Sequence, residues 1–265
     1  MQIITSKDNE MVKQIKKLKE KKYRDETGCF IVEGIKLVKE ALQENRKIQT
    51  IVICEECVQD GTISQNLLYE IAKQNCIYVS AKVFDTLTDV TNPQGILAVV
   101  YKSVLEGQRK NEQEEILLAL DGIQDPGNLG TILRTLDSAG MHQILLSKDT
   151  VDPYNPKVVR STMGAIYRIQ IKQVENLVEE LKKYQKEGYK VVVTSLQAEK
   201  NIYQADYHKK IIVIGNEANG VSKEVADLAD EKIKIPMLGK AESLNAAVAT
   251  SIIVYEYVRR EHFAI

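Results

Sequence analysis

The sequence predicts two consecutive α/β units, and three observations carry that reading. Short apolar runs alternate with amphipathic segments along most of the 265 residues. Hydrophobic residues make up 44% of the chain, enough to build one large or two ordinary cores. Between the two halves lies Ser103 to Glu115 (SVLEGQRKNEQEE), polar, containing Gly107 and without apolar periodicity. The first unit is therefore placed at residues 1–101, the linker at 102–115 and the second unit at 116–265.

The first unit opens with Ser6 to Arg24, where Met11, Ile15 and Leu18 recur at helical spacing beneath a run of lysines, so one amphipathic helix with a basic outer face is expected. A strand follows at Cys29 to Val32, a helix at Ile35 to Gln43, a strand at Ile48 to Cys54 and a helix at Asn66 to Lys73. Apolar strands near Ile77 and at Ile96 to Tyr101 complete it. In the second unit, apolar strands are expected at Ile116 to Leu120, Gln143 to Leu146, Val191 to Thr194, Ile211 to Ile214 and Lys232 to Ile235. Helix patterns such as Val174 to Lys186 separate them, and a long helix is expected around Ala247 to Tyr257. Alternation of this kind implies a mostly parallel sheet covered on both faces, with ligands bound at the carboxyl ends of its strands.

Composition excludes more than it selects. Lys plus Arg is 36 and Asp plus Glu is 37, so bulk charge names no partner. Its distribution does, because Lys13, Lys16, Lys17 and Lys21 crowd the basic helix, a pattern shared by solvated surfaces and by phosphate-contacting ones. Cys29, Cys54, Cys57 and Cys76 include one close pair, Cys54 and Cys57, with no second pair or histidine pair to complete a zinc set, so no metal is expected. His142, His208 and His262 are unclustered and receive no role. The stretch MQIITSKDNE lacks the layout of a secretory signal, and no apolar run approaches the roughly 18 residues of a membrane span, so a cytoplasmic protein is expected.

Three loops at strand ends concentrate the polar residues that could do chemistry. They are Asp121 to Arg134, Gly215-Asn216-Glu217-Ala218-Asn219-Gly220, and Ile235 to Asn245. None holds the G-x-G-x-x-G of a dinucleotide fold or the GK[ST] ending of a phosphate loop. Asn128 and Arg134 are six residues apart, about 240° around a helix axis, so one acts near the loop and the other from the helix flank. Asn128, Ser243 and Asn245 suit hydrogen bonding to a loop, a ribose or a cofactor, and suit helix capping as well. Gly215, Gly220 and Gly239 allow close backbone approach or positive φ, while Ile235, Met237 and Leu244 offer an apolar wall; a tight turn with core residues would look the same.

Taken together and in order, the asparagine-to-arginine spacing, the GNE-x-x-G element and the IPM…SLN run resemble the three motifs of the SpoU (TrmH-type) branch of the SPOUT methyltransferases, over roughly Ile116 to Arg260. The flanking Asp152 to Arg160 (DPYNPKVVR) and Ser161 to Ala165 (STMGA) look like the same family. Phe30-Ile31-Val32-Glu33-Gly34 is similar to the RNA-binding domain that precedes it in the ribosomal-RNA enzymes.

The resemblance implies S-adenosylmethionine-dependent methylation of a ribose 2′-hydroxyl in RNA, ribosomal 23S RNA first. It implies a parallel-sheet α/β fold whose C-terminal segment threads a trefoil knot, a topology nearly absent elsewhere, and a homodimer whose active site draws on both subunits. It carries Asn128, Arg134, Glu217, Ser243 and Asn245 over as catalytic positions. Cofactor positions are Thr194, Gly215, Asn216, Glu217, Gly220, Ile235, Pro236, Met237, Ser243 and Leu244; RNA contacts are Lys13, Lys16, Lys17, Lys21, Arg134 and Arg160. A guanidinium stays protonated, so Arg134 suits clamping a phosphate or a developing alkoxide better than abstracting a proton. Glu217 is the nearest carboxylate to serve as base, and equally an acceptor for loop amides. Competing readings are a transfer-RNA 2′-O-methyltransferase and a catalytically silent RNA-binding ribosome-assembly factor.

Overall fold

The computed structural model describes residues 3–102 and 116–263, so the expected linker at 102–115 lies outside the described residues apart from Lys102. The chain forms two compact units. One joins the residues before the linker to Tyr154–Tyr167, and the other holds the rest.

The first unit contains β1 (Ile3–Ile4), α1 (Glu10–Lys17), α2 (Lys21–Thr27), β2 (Cys29–Glu33), α3 (Ile35–Gln43), β3 (Ile48–Cys54), α4 (Glu55–Gln59), α5 (Gln65–Ile71), β4 (Cys76–Val79), α6 (Ala81–Leu87) and β5 (Ile96–Tyr101). Its sheet has the order β1-β4-β3-β5-β2, with β5 antiparallel to β2 and β3 and the other pairs parallel.

The single basic helix expected over Ser6 to Arg24 is two helices. Asn9 caps α1 by accepting the Met11 N–H at 2.9 Å, and α1 stops at Leu18 before the chain restarts at Lys21. The buried stripe is Val12, Ile15 and Leu18, packed among residues such as Val83 and Phe84, while Met11 is 40% exposed. Val12, three residues before Ile15, takes the inward place expected of Met11. The buried Arg24 fixes the break, donating to the carbonyls of Leu18 at 2.8 Å and Lys19 at 2.7 Å.

The second unit begins with β6 (Ile116–Asp121), α7 (Pro126–Ser138) and β7 (Gln143–Ser147). Next comes α8 (Pro156–Ser161), which packs on β2 as part of the first unit, with the Tyr167 hydroxyl just beyond it donating to the Leu37 carbonyl at 3.1 Å. The expected boundary at residue 116 groups this segment with the second unit along the chain, whereas in space it packs with the first, a pairing that apolar spacing does not reveal. The chain then continues through β8 (Gln170–Val174), α9 (Leu177–Lys186), β9 (Lys190–Thr194), β10 (Lys200–Asn201), β11 (Lys210–Gly215), α10 (Lys223–Leu228), β12 (Glu231–Lys234) and α11 (Ala246–Phe263). Val174, expected to start a helix, instead ends β8; the strand is polar (QIKQV) and sits at the sheet edge, so it lacks the apolar run of a buried strand.

The seven strands run in the order β10-β12-β9-β11-β6-β7-β8 and all their pairings are parallel. The runs ILLAL in β6 and IIVI in β11 are buried throughout, as expected for central strands covered on both faces. The three polar loops leave the carboxyl ends of β6, β11 and β12.

Candidate active site

Asp121 and Gly215 end neighbouring strands in register, so the first two loops leave the sheet side by side. Their backbones are tied at once. The Gly122 N–H donates to Ser147 Oγ at 2.9 Å and its carbonyl accepts from Asn216 Nδ2 at 2.7 Å, at a φ of 78° that suits glycine. Asp121 Oδ2 accepts the Ser222 N–H at 2.8 Å, while Asn216 and Gly220 exchange backbone bonds of 2.9 Å that close the second loop. A Cβ on Gly215 would lie 2.0 Å from the Gly220 carbonyl carbon, so a side chain there is incompatible with the closed loop.

Pro126 opens α7 behind Asp125, whose Oδ1 accepts the Asn128 N–H at 2.8 Å. The cap of this helix is therefore Asp125, and the side chain of Asn128 is left for other work. Asn128 Nδ2 donates to Glu217 Oε1 at 2.8 Å, and its Oδ1 accepts from Asn245 Nδ2 at 2.9 Å. Glu217 also accepts the N–H groups of Gln124 and Asp125, each at 3.3 Å. Asn245 Oδ1 caps α11 through the N–H groups of Ala247 at 2.9 Å and Val248 at 3.2 Å. One hydrogen-bonded chain, Asn245 to Asn128 to Glu217, thus spans all three loops. Partial burial pushes the Glu217 carboxyl up, but the Asn128 amide and the surrounding backbone N–H groups outweigh it and hold the group below its ordinary value. That is the electrostatics of an anion held to organise a loop.

Arg134 stands on the exposed flank of α7, and among the described residues its guanidinium makes no hydrogen bond or ion pair. Ser243 is likewise exposed and, among the described residues, unbonded. Helix α7 lies against α11, with Thr135 Oγ1 2.9 Å from Ser251 Oγ and the Tyr255 hydroxyl donating to Ser138 Oγ at 3.1 Å. The outer surface of α11 leaves Val248 and Tyr255 each 47% exposed.

The third loop differs in character. Residues 236–244 form no hydrogen bonds with other described residues, Leu238 is 99% exposed, and Ile235, Pro236, Met237 and Leu244 are partly exposed. A loop at strand ends that leaves its amides and apolar side chains uncommitted suits a ligand with both polar edges and an apolar ring, and S-adenosylmethionine has both. One expectation needs correction. Gly239 has neither positive φ nor a neighbour within 4 Å of a built Cβ, so nothing in its surroundings requires glycine. Thr194 commits its hydroxyl to the Val213 carbonyl at 3.3 Å, which ties β9 to β11.

In the first unit Lys13, Lys16, Lys17 and Lys21 are all exposed, with Lys13 3.3 Å from Glu10. Arg160, on α8 of the same unit, lies 3.9 Å from the buried Glu33 carboxylate. Cys54 and Cys57 are free thiols; burial, foremost, pushes the Cys54 thiol up to about 12. Among the described residues no group of three or more His, Cys, Asp or Glu could hold a metal ion, and no helix is long and apolar enough to cross a membrane. Sequence reasoning missed the Asp121, Ser147 and Ser222 ties, because each joins residues far apart in the chain.

Comparison with known proteins agrees with this geometry. Residues 115–255 match the model of the SpoU rRNA Methylase family and residues 9–98 that of an MRM3-like substrate binding domain. The chain is 34% identical to the 23S rRNA (guanosine(2553)-2′-O)-methyltransferase RlmP of Bacillus subtilis, over 96% of this chain and 98% of that one. A crystal structure of an AdoMet-bound rRNA methyltransferase from Sinorhizobium meliloti superposes with a TM-score of 0.82 at 34% identity, covering 99% of both chains. An RNA 2′-O ribose methyltransferase structure superposes with a TM-score of 0.82 at 27% identity, over 98% of this chain and 99% of the other. With the family model matched across Asn128 and Asn245 and relatives aligned over nearly its whole length, the chain belongs to the SpoU rRNA methylase family.

Proposed function

We propose that this protein transfers a methyl group from S-adenosylmethionine to a ribose 2′-hydroxyl of ribosomal RNA, and that 23S RNA is the substrate. The observation that carries the reading is the Asn245–Asn128–Glu217 chain, which locks three loops of a SpoU-family sheet into one surface beside an uncommitted loop of partly apolar character. The family's named members supply the rest, since RlmP is a 23S rRNA 2′-O-methyltransferase and the Sinorhizobium protein was crystallised with AdoMet. A match to a substrate-binding domain over residues 9–98, and alignment along almost the full length of ribosomal-RNA enzymes, favours ribosomal over transfer RNA. The cytoplasm is the compartment that goes with this substrate.

The sulfonium of S-adenosylmethionine supplies an electrophilic methyl group, held by the third loop through Ile235, Pro236, Met237, Ser243 and Leu244 and by the second through Gly215, Asn216 and Gly220. What the chain must then contribute is alignment of the attacking oxygen, an effect worth roughly 7–11 kcal/mol when complete. Asn128 and Asn245 fix the loop edges against which the ribose sits. Glu217, an anion engaged by the Asn128 amide and by the Gln124 and Asp125 N–H groups, is a positioning group for Asn128. Arg134, protonated and uncommitted, clamps the RNA phosphate or the developing alkoxide. We place it in the site of a partner subunit, with the α7 and α11 surfaces forming a two-fold interface. The knot of this family belongs to the same proposal for the segment from β12 into α11. Lys13, Lys16, Lys17, Lys21 and Arg160 contact RNA phosphates.

The test is to map 2′-O-methylated nucleotides in total RNA from cells with and without the gene. One 23S position losing its mark, and regaining it when the gene is restored, is the expected result. Loss of a mark in transfer RNA, or of a base methylation, would overturn the assignment.

A further inference from the structure

We propose that Tyr23 is a stacking platform for an unpaired base of the RNA, flanked by Lys17 and Lys22 as partners for the neighbouring phosphates. The inference rests on the reading of the first unit as RNA-binding and assigns to it a non-electrostatic contact.

Tyr23 lies on α2, just after the elbow that separates α1 from α2, with the Lys17 ammonium 5.3 Å and the Lys22 ammonium 5.8 Å from its ring centroid. The two lysines come from different helices, so the ring marks the place where both basic surfaces meet. The elbow is held from within by the buried Arg24 guanidinium on two carbonyls of the turn, and Lys19 is tied to the Asp89 carboxylate at 2.8 Å and the Thr88 carbonyl at 3.1 Å. The ring is therefore presented by a braced turn, which lowers the ordering cost of binding.

The neighbouring hydrophobic cluster of Val12, Ile15, Leu18 and others does not include this tyrosine. It is partly exposed, and among the described residues its hydroxyl makes no hydrogen bond. Tyr69 and Tyr203 are more exposed, at 78% and 58%, but neither has a cation over its ring among the described residues. An aromatic face beside ammonium groups is what single-stranded nucleic acid uses: the base stacks and the cations follow the backbone. A purely phosphate-binding surface would have no use for the ring.

The experiment measures affinity by fluorescence anisotropy for the full chain, with a labelled single-stranded RNA of about a dozen nucleotides and with the same strand made abasic, across a range of salt. Tyr23→Ala should weaken RNA binding roughly tenfold with the salt slope unchanged, because stacking releases no counterions, and should leave the abasic strand's affinity alone. Tyr23→Phe should bind like the parent. Paired replacement of Lys17 and Lys22 by glutamine should instead flatten the slope, by about 0.7 for each phosphate that is no longer neutralised. Parental RNA affinity in Tyr23→Ala, or an equal fall in affinity for the abasic strand, would overturn the platform while leaving the RNA reading intact. An unmutated chain that shows no salt-dependent affinity for either strand would overturn the RNA reading itself.

Discussion

The Asn245 side-chain amide donates to the Asn128 side-chain carbonyl at 2.9 Å, and the chemistry of the neighbours fixes which end of each amide faces which partner. Asn245 Oδ1 receives two backbone N–H groups of α11, so its NH₂ must point away from the helix. Glu217 is ionised and can only accept, so the NH₂ of Asn128 must face it and the carbonyl must face Asn245. Neither asparagine can be turned over without leaving two like groups opposed.

Replacement of Asn245 by aspartate separates its two tasks. The carboxylate still caps α11, and melting should change little, but the donor to Asn128 is gone and two acceptors face each other. Methyl transfer should fall at least tenfold, about 1.4 kcal/mol in barrier. Parental transfer rates in Asn245→Asp would reduce Asn245 to a helix cap with no further role, and the three-loop chain would lose its functional meaning.

Glu217 gives a pH test with a definite sign. Its carboxyl is held below the ordinary value, so the loop stabilisation it provides is fully present above that value and is lost as pH falls through the acid range. It is ionised throughout the neutral range and its titration cannot shape the rate there. Glu217→Gln should lower the rate while leaving the pH–rate profile above neutrality in place, and should remove the acid sensitivity of the second loop measured by hydrogen exchange. If the substitution instead erases a limb of the profile near neutrality, Glu217 is the base.

Much of the second unit was legible because its central strands are continuous apolar runs and its loops carry residues that only a strand-end site would collect, as at Asn128, Glu217 and Asn245. Less legible were features set by long-range partners. The polar strand β8 acquires its role from sheet-edge pairing with β7, and Ser147 reaches a site residue only because β7 lies beside β6. In the first unit the elbow after Leu18 was hidden because Lys19 and Glu20 are good helix formers; the Arg24 side chain, visible only in three dimensions, satisfies the carbonyls that the break releases.

Arg134 tests the shared site. With no partner among the described residues, its removal should cost little stability, and Arg134→Ala should bind S-adenosylmethionine as the parent does while losing most transfer. When inactive Arg134→Ala and inactive Asn245→Ala subunits are mixed and allowed to exchange, part of the activity should return. Exchange proven by mass spectrometry with no activity regained would place both residues in one self-contained site.

The last expectation concerns where the chain can be cut. Cleavage within residues 103–115 is the natural choice from sequence, yet the second half would leave with Tyr154–Tyr167, a segment whose packing is with the first unit. Val158, Val159, Ile166 and Tyr167 are buried there, Tyr154 packs tilted against Phe30 at 4.8 Å between centroids, and the Tyr167 hydroxyl donates to the Leu37 carbonyl. Exposing side chains of this size costs roughly 1.5–3 kcal/mol each, a large share of the stability of an ordinary domain. A fragment of residues 116–265 should therefore melt well below the full chain and bind a hydrophobic dye, and adding the separate fragment of residues 1–102 should restore both properties. A fragment that melts with the intact protein and binds no dye would show that Tyr154–Tyr167 folds without the first unit, and would return the boundary to the linker.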